Sequence, residues 1–282
     1  MPMELKRVVR RAVMRWKGKQ NSPAPILPDK FKTVSKKQCR SFHPCPRFRN
    51  FAQRIPMTDM RTILCIFCAL CTTALTAHAQ SSPTAQTMER LGFVDIRSVD
   101  STIQVSLMYA RADNFTGQVL YDDLREAYLH PKAAQALAKA QHILKTTHPE
   151  LSLKVFDAAR PMHIQQKMWN TVAGTPKNIY VSNPKNGGGL HNYGMAVDVT
   201  LCDAKGDTLP MGTHIDYLGK QAHIDTEADM VRHGQLTRQE QKNRQLLRSV
   251  MREAGFKALR TEWWHFNFIT RAQAKAHYKP IP

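Results

Sequence analysis

The stretch TEWWHFNF, residues 261–268, decides how this chain is read. Two tryptophans stand between Glu262 and His265, ahead of a short alternating tail. The longer run FKALRTEWWHFNFIT is dense in aromatic and apolar residues, which suits a strand. In a regular strand, residues 262 and 265 point to opposite faces. Both can serve one site only at a bend or a strand end. Taken alone, the pair fits two readings: a buried strand with a paired polar residue at each end, or a catalytic base beside a metal ligand.

Working outward, MAVDVTLC (195–202) reads as another strand, with Asp198 inside an apolar run. A carboxylate there is costly unless it is paired, hydrogen-bonded or bound to a cation. Seven residues earlier, His191 follows the glycines of NPKNGGGLHNYG, a loop by composition. LSLKVFDAAR (151–160) is a strand with Leu151, Leu153 and Val155 on one face, and the alternation in FVDIRSVDSTIQVSLMYA suggests strands from Phe93 to Met108. NFTGQVLYD reads as a loop or hairpin around Gly117.

Between these lie helical patterns. From His130 to His148, Ala133, Leu137, Ala140 and Leu144 share one face, with Pro131 in the first turn. Pro161 opens a second helix, Met162 to Val172. Thr237 and Glu240 form a capping-box pattern ahead of a buried stripe of Leu246, Leu247, Val250, Met251 and Ala254, which Gly255 stops. Lys242 and Arg244 read as that helix's solvated face. Strands and helices do not alternate cleanly, so the expected class is α+β.

Charge and cysteine divide the chain. Of 282 residues with a formal charge of +19, residues 1–56 hold fifteen Lys/Arg against Glu4 and Asp29. Residues 80–282 hold 25 Lys/Arg against 19 Asp/Glu, a net +6. A nucleic-acid reading would rest on residues 1–56 alone, so none is expected for the mature domain. MTDMRTILCIFCALCTTALTAHAQ (57–80) has the layout of a secretory signal: Arg61, an apolar run from Ile63 to Leu75, then Ala77-His78-Ala79. The run is short of the roughly 20 apolar residues of a membrane span. The expectation is an exported protein, periplasmic or extracellular, with translation starting at Met57 or Met60 and no stable membrane span after cleavage. Residues 1–56 are then a basic, disordered or misassigned extension, 57–79 the signal, 80–92 a flexible lead-in and 93–282 a single catalytic domain. Five of the six cysteines precede residue 80, which leaves Cys202 without an internal disulfide partner.

Zinc at a catalytic site takes three protein ligands and keeps a position for water. His191, Asp198 and His265 fit that count, and Glu262 could take a proton from the water. Each piece alone is unspecific. Together, LHNYGMAVDVTL and TEWWHFNF resemble the H-x6-D and E-x-x-H zinc motifs of the D-alanyl-D-alanine dipeptidases. These are zinc peptidases related to zinc D-Ala-D-Ala carboxypeptidases and the hedgehog signalling domain. DNFTGQVLY, FDAARP, LPMGTHIDY and NRQLLRSVMREAGF resemble further segments of the family in family order, over roughly Val94 to Phe268.

The resemblance implies a central, mostly antiparallel sheet flanked by helices. It implies one Zn²⁺ per chain on His191, Asp198 and His265, with Glu262 as general base and then acid. Arg160 would stabilise the oxyanion, or else simply pair with Asp157, and Asp216 would hold the substrate's ammonium group. Trp263 and Trp264 would wall the site. The implied reaction is hydrolysis of D-Ala-D-Ala to D-alanine in cell-wall turnover. The rivals are a zinc D,D- or L,D-carboxypeptidase on peptidoglycan stems and a non-catalytic zinc-stabilised wall-peptide module, against which Glu262 argues. The chain departs from the family where a serine-rich lead into the first histidine is replaced by Gly187-Gly188-Gly189-Leu190, which removes a hydroxyl that could contact substrate.

Overall fold

The computed structural model describes residues 81–282. The basic segment 1–56 and the signal-like segment 57–79 lie outside the described residues. The elements run α1 (Pro83–Arg90), β1 (Val94–Asp95), α2 (Ile96–Val99), β2 (Gln104–Val105), β3 (Tyr128–Leu129), α3 (Pro131–Thr147), β4 (Ser152–Asp157) and α4 (Met162–Val172). Then come β5 (Ala196–Cys202), α5 (Glu227–Arg232), α6 (Arg238–Glu253), β6 (Lys257–Leu259), β7 (Glu262–Asn267) and α7 (Arg271–His277). Among the described residues no helix is long and apolar enough to cross a membrane.

The main sheet has five strands in the order β2-β4-β5-β7-β6, and β1 pairs with β3 separately. Within the five-stranded sheet β2 and β4 are parallel, and the other neighbours are antiparallel. This is the expected α+β class with a mostly antiparallel sheet. Every residue of β5 is buried. Alternation puts Val197, Val199 and Leu201 on one face and Asp198 on the other. Helices α3 and α6 pack on each other, with α3 against β4 and α6 against β5. Leu137, Leu144, Leu153, Val199, Leu201 and Leu247 are fully enclosed. Each such side chain contributes about 1.5–3 kcal/mol relative to exposure.

Local signals explain the helices. Pro131 fills the first turn of α3, and His130 caps it, its Nδ1 accepting from the Lys132 amide. At α6 the capping box is complete: the Glu240 amide donates to Thr237 Oγ1 and the Thr237 amide to Glu240 Oε2.

Four expectations need correction. Residues 80–92 are not a plain lead-in: Ser82 caps α1, and Ala85 and Met88, three apart, are buried. Phe93 to Met108 holds strands, but only the two-residue β1 and β2, with α2 between them. Asp95 accepts from the Arg97 amide and Asp100 from the Thr102 amide, and these local bonds turn the chain away from a ladder. FKALRTEWWHFNFIT forms two strands, not one, β6 and β7 pairing as a hairpin. Lys242 is exposed as expected, but Arg244 is completely buried on the stripe of Leu247 and Met251.

Candidate metal centre and cleft

Two irregularities in the sheet shape the site. β4 carries one extra residue between Val155 and Asp157, so Asp157 comes to stand opposite Asp198. The β6–β7 register also breaks: Ala258 faces Phe266, but Leu259 faces Glu262. That break is the bend the spacing required, and Glu262 and His265 both line one cleft.

Asp198 and His265 are cross-strand partners on β5 and β7. His191 comes from a 3-10 turn, Leu190–Tyr193, whose backbone is held by the Arg160 amide on the His191 carbonyl. His265 Nδ1 lies 3.0 Å from Asp198 Oδ1 and 3.1 Å from His191 Nε2. His191 Nε2 lies 3.3 Å from Asp198 Oδ1.

The outer ring nitrogens fix what those atoms are. His191 Nδ1 lies 2.7 Å from the Ala158 carbonyl, so it must carry the proton and donate. His265 Nε2 donates in the same way to Asn267 Oδ1 at 2.9 Å. With both rings neutral the inner nitrogens are lone pairs, converging with a carboxylate oxygen within 4.8 Å of one another. Three acceptors with no donor between them repel unless a cation sits among them. The trio therefore fits a metal ion, and the outer bonds are those that orient metal-bound imidazoles. Burial alone would raise the Asp198 carboxyl, but positive charge on the two imidazoles, His191 first, outweighs it and holds the group well below the usual carboxylate range; with the rings neutral, that charge has to come from a bound cation.

The cleft measures about 390 Å³, a size suited to a small molecule. Arg160, Asp216 and Glu262 line it with the trio. Burial pushes the Glu262 carboxyl up to about 8, with Asp198 and Asp216 adding to the effect. Burial and Asp198 push Asp216 up to about 7. Asp216 accepts from the Tyr109 hydroxyl on Oδ1 at 2.9 Å, while its buried Oδ2 has no partner. Its φ of 66° is the one positive value at a non-glycine among the described residues.

Arg160 makes the expected pair with Asp157, through Nε at 2.9 Å and also through Nη2. Nη1 donates to Gln165 Oε1 at 2.8 Å, and Nη2 lies 3.9 Å from Asp198 Oδ2. The pair thus aims the guanidinium at the cleft rather than removing it.

Sequence reasoning misplaced the tryptophans. Trp263 and Trp264 are buried but do not border the cleft. Trp263 instead lies behind the loop of Asp216, its Nε1 donating to Thr213 Oγ1 at 2.8 Å. Reading the sequence alone also missed Ser182, Tyr109 and Asn267. A Cβ on Gly189 would come within 2.8 Å of Ser182 Oγ, and Ser182 lines the cleft, so the glycine makes room for a hydroxyl from another segment. Asn267 follows His265 by two residues, and the strand period was its signal.

The chain is similar to known proteins over most of the described residues. A family profile described as D-Ala-D-Ala dipeptidase matches residues 89–281. A D-alanyl-D-alanine dipeptidase of Escherichia coli K12 is 34% identical over 173 residues, 61% of this chain and 82% of that protein. A protein of the same name from Enterococcus faecium is 25% identical over 197 residues, 62% and 91% of the two chains. Another, from Streptomyces coelicolor, is 28% identical over 190 residues, 62% and 90%.

Proposed function

Because this chain belongs to the D-Ala-D-Ala dipeptidase family of peptidases, we propose that it hydrolyses D-Ala-D-Ala to free D-alanine with one zinc ion on His191, Asp198 and His265. The observation that carries the reading is that the converging trio and the unpartnered oxygen of Asp216 share one small cleft. Zinc bound there supplies a Lewis acid that polarises the scissile carbonyl and acidifies water.

The chain's own residues do the rest. Glu262 takes a proton from the attacking water and delivers it to the leaving amine; its burial suits it to hold a proton near neutral pH. Arg160, fixed by Asp157 and Gln165, offers N–H groups to the charge that develops on the carbonyl oxygen. Asp216 Oδ2 receives the substrate's free ammonium group. A blocked amine leaves that oxygen buried and unpaired, which disfavours longer or capped peptides. The layout of residues 57–80 supports export, and an exported enzyme of this kind would recover D-alanine from cell-wall fragments.

The test follows D-alanine release from D-Ala-D-Ala and from its N-acetylated form by the zinc-loaded protein, with and without chelator. Chelator-sensitive cleavage of the free dipeptide alone is the expected result. Cleavage of the blocked form as well would make the protein a carboxypeptidase. Zinc binding without cleavage of either would leave a binding module.

A further inference from the structure

Asp216 sits in a long irregular segment between β5 and α5, in a backbone conformation that costs a non-glycine residue about 1 kcal/mol or more. Such a conformation persists only where the surroundings over-determine it. The constraint comes from α6. Arg244 Nε donates to the Met211 carbonyl at 2.6 Å, five residues before Asp216, and Nη2 donates to the Gln221 carbonyl at 3.0 Å, five residues after. Its neighbour Asn243 donates through Nδ2 to the Pro210 carbonyl at 2.8 Å. One side chain therefore closes both ends of the segment that carries the unpartnered carboxylate oxygen.

Burying this guanidinium has a cost that packing alone would not require. Arg244 is completely enclosed, its Cζ 5.6 Å from the Trp263 ring. Its charge is met by Glu227, whose Oε1 lies 3.6 Å from Nη1. Glu227 is itself held in two-pronged fashion by Arg248. An apolar residue would fill the space on α6 but would strand two carbonyls. A lysine offers a point charge rather than a planar fork and cannot span both carbonyls in one geometry. Gly212 shows how closely the parts approach: a Cβ there would come within 2.3 Å of Leu236 Cδ1 and 3.3 Å of Arg244 Nη2.

We propose that Arg244 is a positioning residue for Asp216. By clamping Met211 and Gln221 it fixes the segment so that the Asp216 carboxylate faces the cleft, and it thereby sets the preference for a free amino terminus. This rests on the reading of Asp216 as the amine anchor.

The test is a cycle of R244K, D216N and the double variant in the full, metal-loaded chain. It reads kcat and KM for D-Ala-D-Ala, inhibition by N-acetyl-D-Ala-D-Ala, bound metal, and amide hydrogen exchange over residues 211–221. R244K should raise KM for the free dipeptide about tenfold. It should move kcat and inhibition by the blocked dipeptide much less, keep the metal, and speed exchange in the segment. In the D216N background it should add little to KM. An equal rise in KM with and without Asp216 would overturn the proposal, as would unchanged exchange. If D216N alone leaves KM unaltered, the amine-anchor reading fails on its own account, and the exchange data still decide whether Arg244 holds the segment. Should R244K not fold, T213V, which removes the Trp263 hydrogen bond to the same segment, should shift KM and exchange in the same direction; no shift would count against the proposal.

Discussion

Asp198 and His265 face each other across a β-ladder, whereas Asp216, in the same cleft, stands on an irregular segment tied to a helix by side chains. The first arrangement inherits its precision from strand register. Neighbouring positions are buried on both sides, and a shift of either strand would need the ladder to break. The second depends on a few long-range bonds and a strained residue. Metal geometry tolerates errors of only about half an ångström, which suits two of the trio standing on paired strands and the third, His191, on a turn pinned by backbone hydrogen bonds. A pocket that selects one end of a substrate tolerates more, and loops can vary without disturbing the chemistry. Changes near the ladder should therefore alter metal or rate, and changes on the segment should alter selectivity.

The largest effect should come from Glu262, the proposed base, which lines the cleft but is not one of the trio. E262Q should lower kcat by about 10²–10⁴-fold while leaving bound metal unchanged, as read by steady-state kinetics beside metal analysis. Full activity in E262Q would remove its role. Loss of metal would mean that Glu262 is part of the centre and that the division drawn above is misplaced.

Asn267 sharpens the comparison at a smaller scale. It lines the cleft and is hydrogen-bonded to the trio through His265 Nε2. N267A should weaken metal affinity by about 10–100-fold, measured by competition with a chromogenic chelator. At saturating metal it should leave the preference for free over blocked dipeptide intact. A changed preference would show that the two regions are coupled.

The two regions also differed in how far the sequence revealed them. His191, Asp198 and His265, unspecific one by one, were legible together through LHNYGMAVDVTL and TEWWHFNF and the family those motifs resemble. Helices α3 and α6 were legible from the 3.6-residue period and their first-turn signals, and α4 from Pro161 at its start. The sheet's irregularities were not: one extra residue near Asp157 and the break before Phe266 leave no compositional mark, yet they place Asp157 opposite Asp198 and bend the chain at Glu262. Arg244 was misjudged because its charge outweighed its position. Its spacing of three and seven from Leu247 and Met251 already put it on the buried face. Helix α1 was missed because two buried residues in a polar stretch are a thin stripe. Side-chain clamps between distant segments, such as Arg244 to Met211 and Gln221, have no local signature at all.

The smallest effect should appear in the stability of the metal-free protein, and here both regions act in one sense. Glu262 ordinarily titrates at 4.5 and is pushed up to about 8 by burial; Asp216 ordinarily titrates at 3.8 and is pushed up to about 7. Below about pH 4 folded and unfolded chains both hold these protons, so they give no pH dependence there. Between roughly pH 4 and 8 the folded chain keeps protons that the unfolded chain has released, and stability falls as pH rises. Each group contributes a slope of at most about 1.4 kcal/mol per pH unit. Asp198, held below the usual range, acts in the opposite direction, but its contribution is lost only in more acidic solution. Denaturant titrations of the chelated protein should therefore show stability declining from pH 5 to 8. E262Q should flatten the upper part of the decline and D216N the lower, because neither amide has a proton to lose. Zinc should restore the most stability at pH 8, where the carboxylates it faces are ionised. A metal-free protein equally stable at pH 5 and 8 would mean that solvent or a neighbouring cation already stabilises both carboxylates, and the burial that separates this cleft from an ordinary surface groove would have to be given up.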